Sequence, residues 1–570
     1  MRDFQAIQTT AYDIVIIGGG INGAGTARDA ALRGLKPLLI EKNDFAGGTT
    51  SWSTRLVHGG LRYLEYFEFH LVRESLRERE ILLQAAPHLV KPIQMTIPIY
   101  RDGSRRYWEI QAGMLLYDIL SFDKTLLSHR MLSATKFQQH FRTASSDQLT
   151  GAAQYYDGQA EYAERLCLEN IRSAAAAGAT VLNYVAVTAI PCKGDRISAL
   201  TCEDQLTGAT FDVPIGPKTV VVNTSGPWVD QVCQLGRQGD RPRPMTKARK
   251  IGGTKGSHIV VDAFPGAPDT AFYVEARTDG RPFFIVPWLG MYLIGTTDLR
   301  YEGNLDRVKA DNDEIDYLLN ETNRIFPVAD LSRDHVKFTY SGVRPLPYKE
   351  SSKAGSITRD HILFDHQVDG IQNLISLIGG KLTTYRQVGE EMVDKACRKL
   401  QRSIPPSPAR TVPLPGAIRP QDSRIGEAIA HYEAYVSRES IHHLFKVYGA
   451  LATEVLALID DAPDLAERLI PELPDIRAQA VYSVQAEYAH TLVDICRRRT
   501  TLAMRHNYGF DVLPAIVETL MTHCGWDDDR CNQQLADYAT YMTDNCIPDY
   551  AIAASDQAQF LPSLSMADRS

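Results

Sequence analysis

No two of the nine cysteines stand as Cys-x-x-Cys, which removes a zinc-ribbon or thioredoxin-type motif. Their odd number and scatter suit a reducing compartment rather than a disulfide scaffold. No metal site is read from the spacing of His, Cys, Asp and Glu. Cationic excess is also missing: 61 Lys and Arg against 69 Asp and Glu give a net charge of −8. That balance excludes a dedicated nucleic-acid binder, which needs a basic field, but leaves room for a local basic pocket around an anionic metabolite. Long apolar runs are absent, and no window approaches the ~20 residues that span a bilayer. The opening MRDFQAIQTTAYD has neither a signal-peptide apolar stretch nor a run of arginines, so no secretory or mitochondrial address is read. There is no internal repeat. What is present is an ordinary globular mixture, 44 % hydrophobic and 23 % charged, over 570 residues. One core rarely exceeds about 250–300 residues, so two or three domains are expected.

Residues 12–41 read as strand, tight turn, helix and strand. The block IVII at 14–17 is continuously apolar, as in a strand buried on both faces of a parallel sheet. A glycine run follows, then a helical stretch lined by Ala24, Ala27, Ala30 and Ala31, with Gly34 as its C-terminal cap. The next strand, LLI at 38–40, ends at Glu41. Further apolar runs at 219–222, 257–261, 283–286, 292–294 and 374–378 are widely dispersed. That dispersion predicts an α/β chain whose parallel, Rossmann-like domain is interrupted by an antiparallel-sheet substrate domain. Residues 404–420 contain six prolines and read as a semi-rigid linker. Beyond them helical periodicity predicts a separate all-helical domain at 421–550, with a frayed tail at 551–570.

Gly18-x-Gly20-x-x-Gly23 has dinucleotide-binding spacing. Gly18 permits the turn, Gly20 lets the backbone approach a pyrophosphate, and Gly23 lets the helix sit close to the strand. The helix start offers N–H groups and partial positive charge to phosphates. Glu41, 18 residues after Gly23, stands where a carboxylate accepts from ribose hydroxyls. Its charge disfavours a phosphorylated 2′ position.

Five further segments sharpen this: TRLVHGGLRYL at 54–64, KGSH at 255–258, GTTD at 295–298, YSGVRPL at 340–346 and GGKLTTYR at 379–386. In order and separation they resemble the FAD-dependent glycerol-3-phosphate dehydrogenases, from about residue 12 to 400. The helical region, with DICRRRT at 494–500, resembles the C-terminal domain of longer bacterial members. Arg55 stands where Lys is commoner, and NTSGPW at 223–228 replaces a usual NATGPW. Asp527, Asp528 and Asp529 lack the alternation and central glycine of a calcium loop, so the likeness is to members without calcium control.

The resemblance implies FAD as cofactor and glycerol 3-phosphate as substrate. It implies an FAD-binding domain at 1–100, 151–235 and 341–403, and a substrate domain at 101–150 and 236–340. The cofactor residues implied are Gly18, Gly20, Gly23, Glu41, Thr50, Ser51, His58, Val187, Gly226, Gly380, Lys381, Leu382 and Thr383. His258 is the implied base for the hydroxyl proton, since histidine titrates near working pH. Arg344 is implied to stabilise developing charge on the reacting oxygen. Arg62, Lys381 and Arg386 match phosphate-binding positions, with Tyr63 and Tyr385 as hydroxyl donors. Electrons are expected to pass to quinone; the rival is an oxidase of the same fold that reduces oxygen to hydrogen peroxide. An amino-acid oxidase would not need the phosphate cluster, and a scaffold protein would not be reduced by the substrate. Quinone delivery implies a cytoplasmic protein held peripherally on the inner membrane. The best surface for that contact is residues 107–122, YWEIQAGMLLYDILSF, preceded by Arg105 and Arg106. The Arg497–Arg499 run is the alternative. A homodimer is allowed, and the helical domain has no role assigned.

Overall fold

In the computed structural model the described residues are 2–350, 360–403 and 405–554, and the side chain of Arg62 lies outside them. A six-stranded sheet runs in the order Ile362–Asp365, Leu374–Ile378, Val220–Asn223, Ile14–Ile17, Pro37–Ile40 and Thr180–Leu182. Its strands pair in parallel except the first two. Both faces are covered, which is why Ile14–Ile17 is apolar throughout. The helix Ile21–Leu32 places its alanines against neighbouring helices, and Tyr385 of the helix Tyr385–Leu400 lies over Gly25. A second six-stranded sheet, built mainly by residues 185–242, flanks the first.

The substrate-side sheet has ten strands. It takes in Val90–Tyr100 and Leu149–Ala160, two strands that the sequence division placed in the nucleotide domain. These strands pair antiparallel over their whole length, Val90 opposite Ala160 through Tyr100 opposite Leu149, and Val90–Tyr100 joins them in parallel to Ala271–Glu275. The domain boundary therefore follows strand pairing, which local composition does not reveal.

The helix Tyr107–Leu120 has two opposite faces. Ile110, Met114 and Tyr117 are buried, at the 3–4-residue spacing of one stripe. Trp108, Leu115, Ile119 and the following Phe122 are 62 %, 57 %, 59 % and 78 % exposed. No described helix is long and apolar enough to cross a membrane.

The proline-rich stretch is not a free linker. Arg28 donates to the Val412 and Pro413 carbonyls at 2.7 and 3.3 Å, and Leu414 and Ile418 are buried. The helices beyond it share one apolar core with the nucleotide domain and another with the substrate-side sheet, so they form no separate body. Arg497, Arg498 and Arg499 stand on a single π-helical turn, Asp494–Arg499, and are all buried. That corrects the alternative membrane contact: these cations face inward. Arg499 holds Asp44 bidentately at 2.6 and 2.8 Å, and Arg498 reaches the same carboxylate at 2.5 Å. Arg497 and Arg55 share Glu164 at 2.8 and 2.6 Å.

Burial alone would raise the Glu164 carboxyl, but Arg55 and Arg497 overcome it and pull it from the usual 4.5 to about 2. A group with a depressed folded pKa stabilises fully above its unfolded value and loses that contribution as pH falls through the folded one. Glu164→Gln is expected to cost on the order of 3 kcal/mol at neutral pH. The gap from the parent should close as pH drops from about 4.5 towards 2. Denaturant unfolding of both proteins across that window checks it; a gap indifferent to pH would contradict it.

Candidate cofactor and active site

The strand Ile14–Ile17 ends in the glycine turn. Gly18 has φ +109°, a left-handed value that glycine adopts without strain. A side chain at Gly23 would place its Cβ 1.9 Å from the Gly18 oxygen, so the helix can start only if that position is glycine. Glu41 accepts from the Gly19 N–H at 2.6 Å and from the Asn43 N–H at 2.9 Å, and burial raises its pKa. These bonds fix its carboxylate at the end of the second strand. Thr50 Oγ1 accepts from the Ile21 N–H at 3.0 Å, tying the following loop to the helix start. The cavity so formed runs from Gly18, Gly20 and Glu41 past Val187 and Gly226 to Gly380, Lys381 and Leu382.

A second cavity of about 890 Å³ meets the first at Thr49, Pro345, Gly379, Gly380 and Lys381. Its charged wall carries Arg281, Arg300, Arg344 and Lys381 beside Asp157, Asp279, Asp298 and Asp360, and Asp279 and Asp298 pair with Arg281 and Arg344. Another part of the wall is aromatic, with Tyr63, Tyr155, Tyr273 and Phe284. Arg344 stands at the end of the strand Val336–Arg344 and donates to Asp298 Oδ1 at 3.0 Å and Thr296 Oγ1 at 3.1 Å. Lys381 Nζ lies 4.4 Å from the centre of the Tyr63 ring, a cation–π contact that holds the ammonium at the wall. His58 lines this cavity. Its Nδ1 accepts from the Gly60 N–H at 3.2 Å, which leaves the proton on Nε2. Burial lowers its pKa, against the raising effect of Asp157 and with the help of Lys381.

His258 sits one layer back. It pairs with Gly295 and Tyr340 on the flanking strands, its ring stacks on Tyr340 at 4.7 Å, and it is only 2 % exposed. Nε2 lies 2.9 Å from Thr54 Oγ1, and Thr54 lines the cavity. Burial, then Arg344 and Arg55, hold the imidazole well below its ordinary 6.5, which corrects the expectation that it titrates near working pH.

Comparison with known proteins follows the same lines. Residues 13–386 match the family model described as FAD dependent oxidoreductase, and residues 407–531 match the C-terminal domain of alpha-glycerophosphate oxidase. A glycerol-3-phosphate dehydrogenase of Synechocystis is 64 % identical over 97 % of this chain and 100 % of its own length. This chain belongs to the FAD-dependent glycerol-3-phosphate dehydrogenase family. The human mitochondrial glycerol-3-phosphate dehydrogenase is 34 % identical over 92 % of this chain and 72 % of its own. The crystal structure of glycerol-3-phosphate dehydrogenase from Bacillus halodurans, complexed with FAD, superposes with a TM-score of 0.76. It is 27 % identical and covers 95 % of this chain and 96 % of that one.

FAD is the cofactor of this family, and the first cavity fits it. The glycine cradle leaves no Cβ in the pyrophosphate path, Glu41 is fixed beside it, and the far end opens on the second cavity. Family membership does not carry every implied residue to the wall. Gly23 serves helix packing, as its spacing suggested. Ser51 turns inward and donates to the Ala46 carbonyl at 2.7 Å, and its neighbours Trp52 and Ser53 line the cavity instead. Thr383 is buried, its hydroxyl accepting from the His58 N–H at 3.1 Å, so it braces that loop.

Tyr385 and Arg386 are corrected as substrate residues. The helix Tyr385–Leu400 begins at Tyr385, and its first turn carries both side chains away from the cavity. The Tyr385 hydroxyl accepts from Asn170 at 2.9 Å. Arg386 is held by Glu78 through two 2.7 Å bonds and by Glu390 at 2.6 Å. Sequence reasoning missed Thr54, Asp298, Arg300 and Phe284 at the second cavity. Thr54 and Asp298 lay inside motifs already noted, and their place in those motifs was the available signal.

Proposed function

We propose that this chain oxidises sn-glycerol 3-phosphate at C2 to dihydroxyacetone phosphate and passes the electrons to quinone. The observation that carries this reading is the junction of the two cavities, where the charged wall, with Lys381 and Arg344, meets the far end of the dinucleotide cavity. Bound FAD supplies the hydride acceptor. Lys381 and Arg344 supply positive charge for a phosphate dianion and for the oxygen at C2; converging cations in a closed site bind far better than single exposed ion pairs. The hydroxyl proton passes to Thr54 Oγ1 as the Thr54 proton moves to His258 Nε2. His258, held neutral, receives it at Nε2 in the tautomer that carries its own proton on Nδ1. Arg55 and Arg344 disfavour a lasting imidazolium, so the proton leaves as the cycle closes.

Quinone as acceptor is supported by the apolar stripe on the helix Tyr107–Leu120. On the opposite face Tyr117 donates to Asp157 at 2.9 Å and its oxygen accepts from the Gly59 N–H at 3.0 Å, beside the second cavity. The helix thus has its inner face on the site's wall and an outer face suited to the acyl boundary. Trp108→Glu with Leu115→Glu is expected to release the protein from anionic liposomes while leaving its activity towards a soluble dye within about twofold of the parent. Sedimentation with vesicles checks it; unchanged binding places the membrane contact elsewhere. The oxidase reading is separated by acceptor. Anaerobic turnover with a quinone analogue and little peroxide in air supports the dehydrogenase; stoichiometric peroxide with no quinone turnover overturns it.

A further inference from the structure

The helix Asp528–Asn545 reaches the cofactor cavity, although both family models end before its last turns, at 386 and 531. Tyr541 and Asn545 line that cavity, four residues apart on one face. The helix end is anchored on the site. The Cys546 carbonyl accepts from Thr339 Oγ1 at 2.7 Å, on the strand that carries Ser341, Gly342 and Arg344. The Thr543 carbonyl accepts from Lys309 Nζ at 3.0 Å, beside Asp306 and Val308 of the same cavity wall. Asp306 in turn pairs with Lys42 at 2.5 Å, next to Glu41. A ring of contacts thus runs from the C-terminal helix to the second nucleotide strand.

The polar chemistry of these two residues is only partly spent inside the protein. Asn545 is buried and donates one N–H to the Tyr541 carbonyl at 3.0 Å, leaving its second N–H and its amide oxygen for a ligand. The Tyr541 phenol lies beside the Arg498 guanidinium. Arg498 is bonded to Asp44, in the loop between the second strand and Thr50. Arg497 continues the support: it donates to the Ser51 carbonyl at 3.3 Å, and its guanidinium lies 4.6 Å from the Trp52 ring.

We propose that the C-terminal helical region completes the FAD site, with Tyr541 and Asn545 closing the cavity over the dinucleotide and Arg497 and Arg498 positioning the loop opposite. A dinucleotide laid along the carboxyl ends of the strands needs cover from outside the sheet, and this helix end contributes part of it beside Asp306, Val308 and Val343. The region is therefore part of the cofactor site and not only a cover for the core.

The readout is release of FAD from the holoenzyme, followed as recovery of free-flavin fluorescence after dilution. Asn545→Asp keeps the side chain's size and sets a carboxylate in the wall of the cofactor cavity. It should release FAD about tenfold faster than the parent, and Tyr541→Phe should release it measurably faster. Gln533→Ala, on the exposed side of the same helix, should match the parent. Should Asn545→Asp fail to fold, Asn545→Ala and Tyr541→Phe decide the matter by the same readout. Release within twofold of the parent in the folded variants would overturn the proposal. So would equally fast release from Gln533→Ala, which would mark a general loosening of the helix.

Discussion

His258→Ala is expected to lower turnover roughly 10²–10⁴-fold with FAD still bound. The ring touches neither cavity directly, so its loss should leave the cofactor spectrum unchanged while removing the proton's destination. Thr54→Val should reproduce much of that loss, and Thr54→Ser, which restores the hydroxyl, should recover most of it. The pH profile adds a sign. Burial, Arg344 and Arg55 hold His258 well below 6.5, so it stays neutral and able to accept a proton across about pH 6 to 9. A flat profile there is expected for the parent on this account. Near-normal turnover of His258→Ala over that range would remove His258 from the mechanism. A silent Thr54→Val would remove the hydroxyl between them.

Lys381→Ala should raise the KM for glycerol 3-phosphate by about 10–100-fold while barely changing any weak activity on glycerol. The ammonium is held against Tyr63 at the junction of the two cavities, and a buried charge-assisted contact to phosphate is worth more than an exposed pair. Steady-state kinetics on both substrates separates two roles. A selective loss on the phosphorylated substrate marks phosphate binding. Equal losses on both would mean that Lys381 positions the flavin.

The nucleotide half was legible because its physics is local. A buried parallel strand must be apolar, a phosphate-binding turn must have glycine, and both requirements sit within thirty residues, from Ile14 to Glu41. The site's second wall was legible only as motifs. Tyr385 and Arg386 follow Lys381 in sequence, but the start of a helix rotates successive side chains by about 100°, and that rotation sends them to Asn170 and Glu78. His258 was picked out by its strand, yet no local pattern says that Thr54, 204 positions earlier, stands between it and the cavity. The Arg497–Arg499 run looked like a surface patch; a π-helical turn and two distant carboxylates, Asp44 and Glu164, made it interior. Residues 107–122 read in sequence only as an apolar run; the helix divides it into a buried stripe, Ile110, Met114 and Tyr117, and an exposed apolar one, Trp108, Leu115 and Ile119.

The central claim is that the second cavity presents glycerol 3-phosphate to the bound flavin. Anaerobic addition of glycerol 3-phosphate to the purified holoenzyme tests it most directly, with flavin absorbance followed in a stopped-flow cell. The account predicts rapid, complete bleaching by glycerol 3-phosphate, none on the same timescale by glycerol, and recovery of colour when a quinone analogue is added. An absorbance unchanged by glycerol 3-phosphate in protein that carries FAD would contradict it.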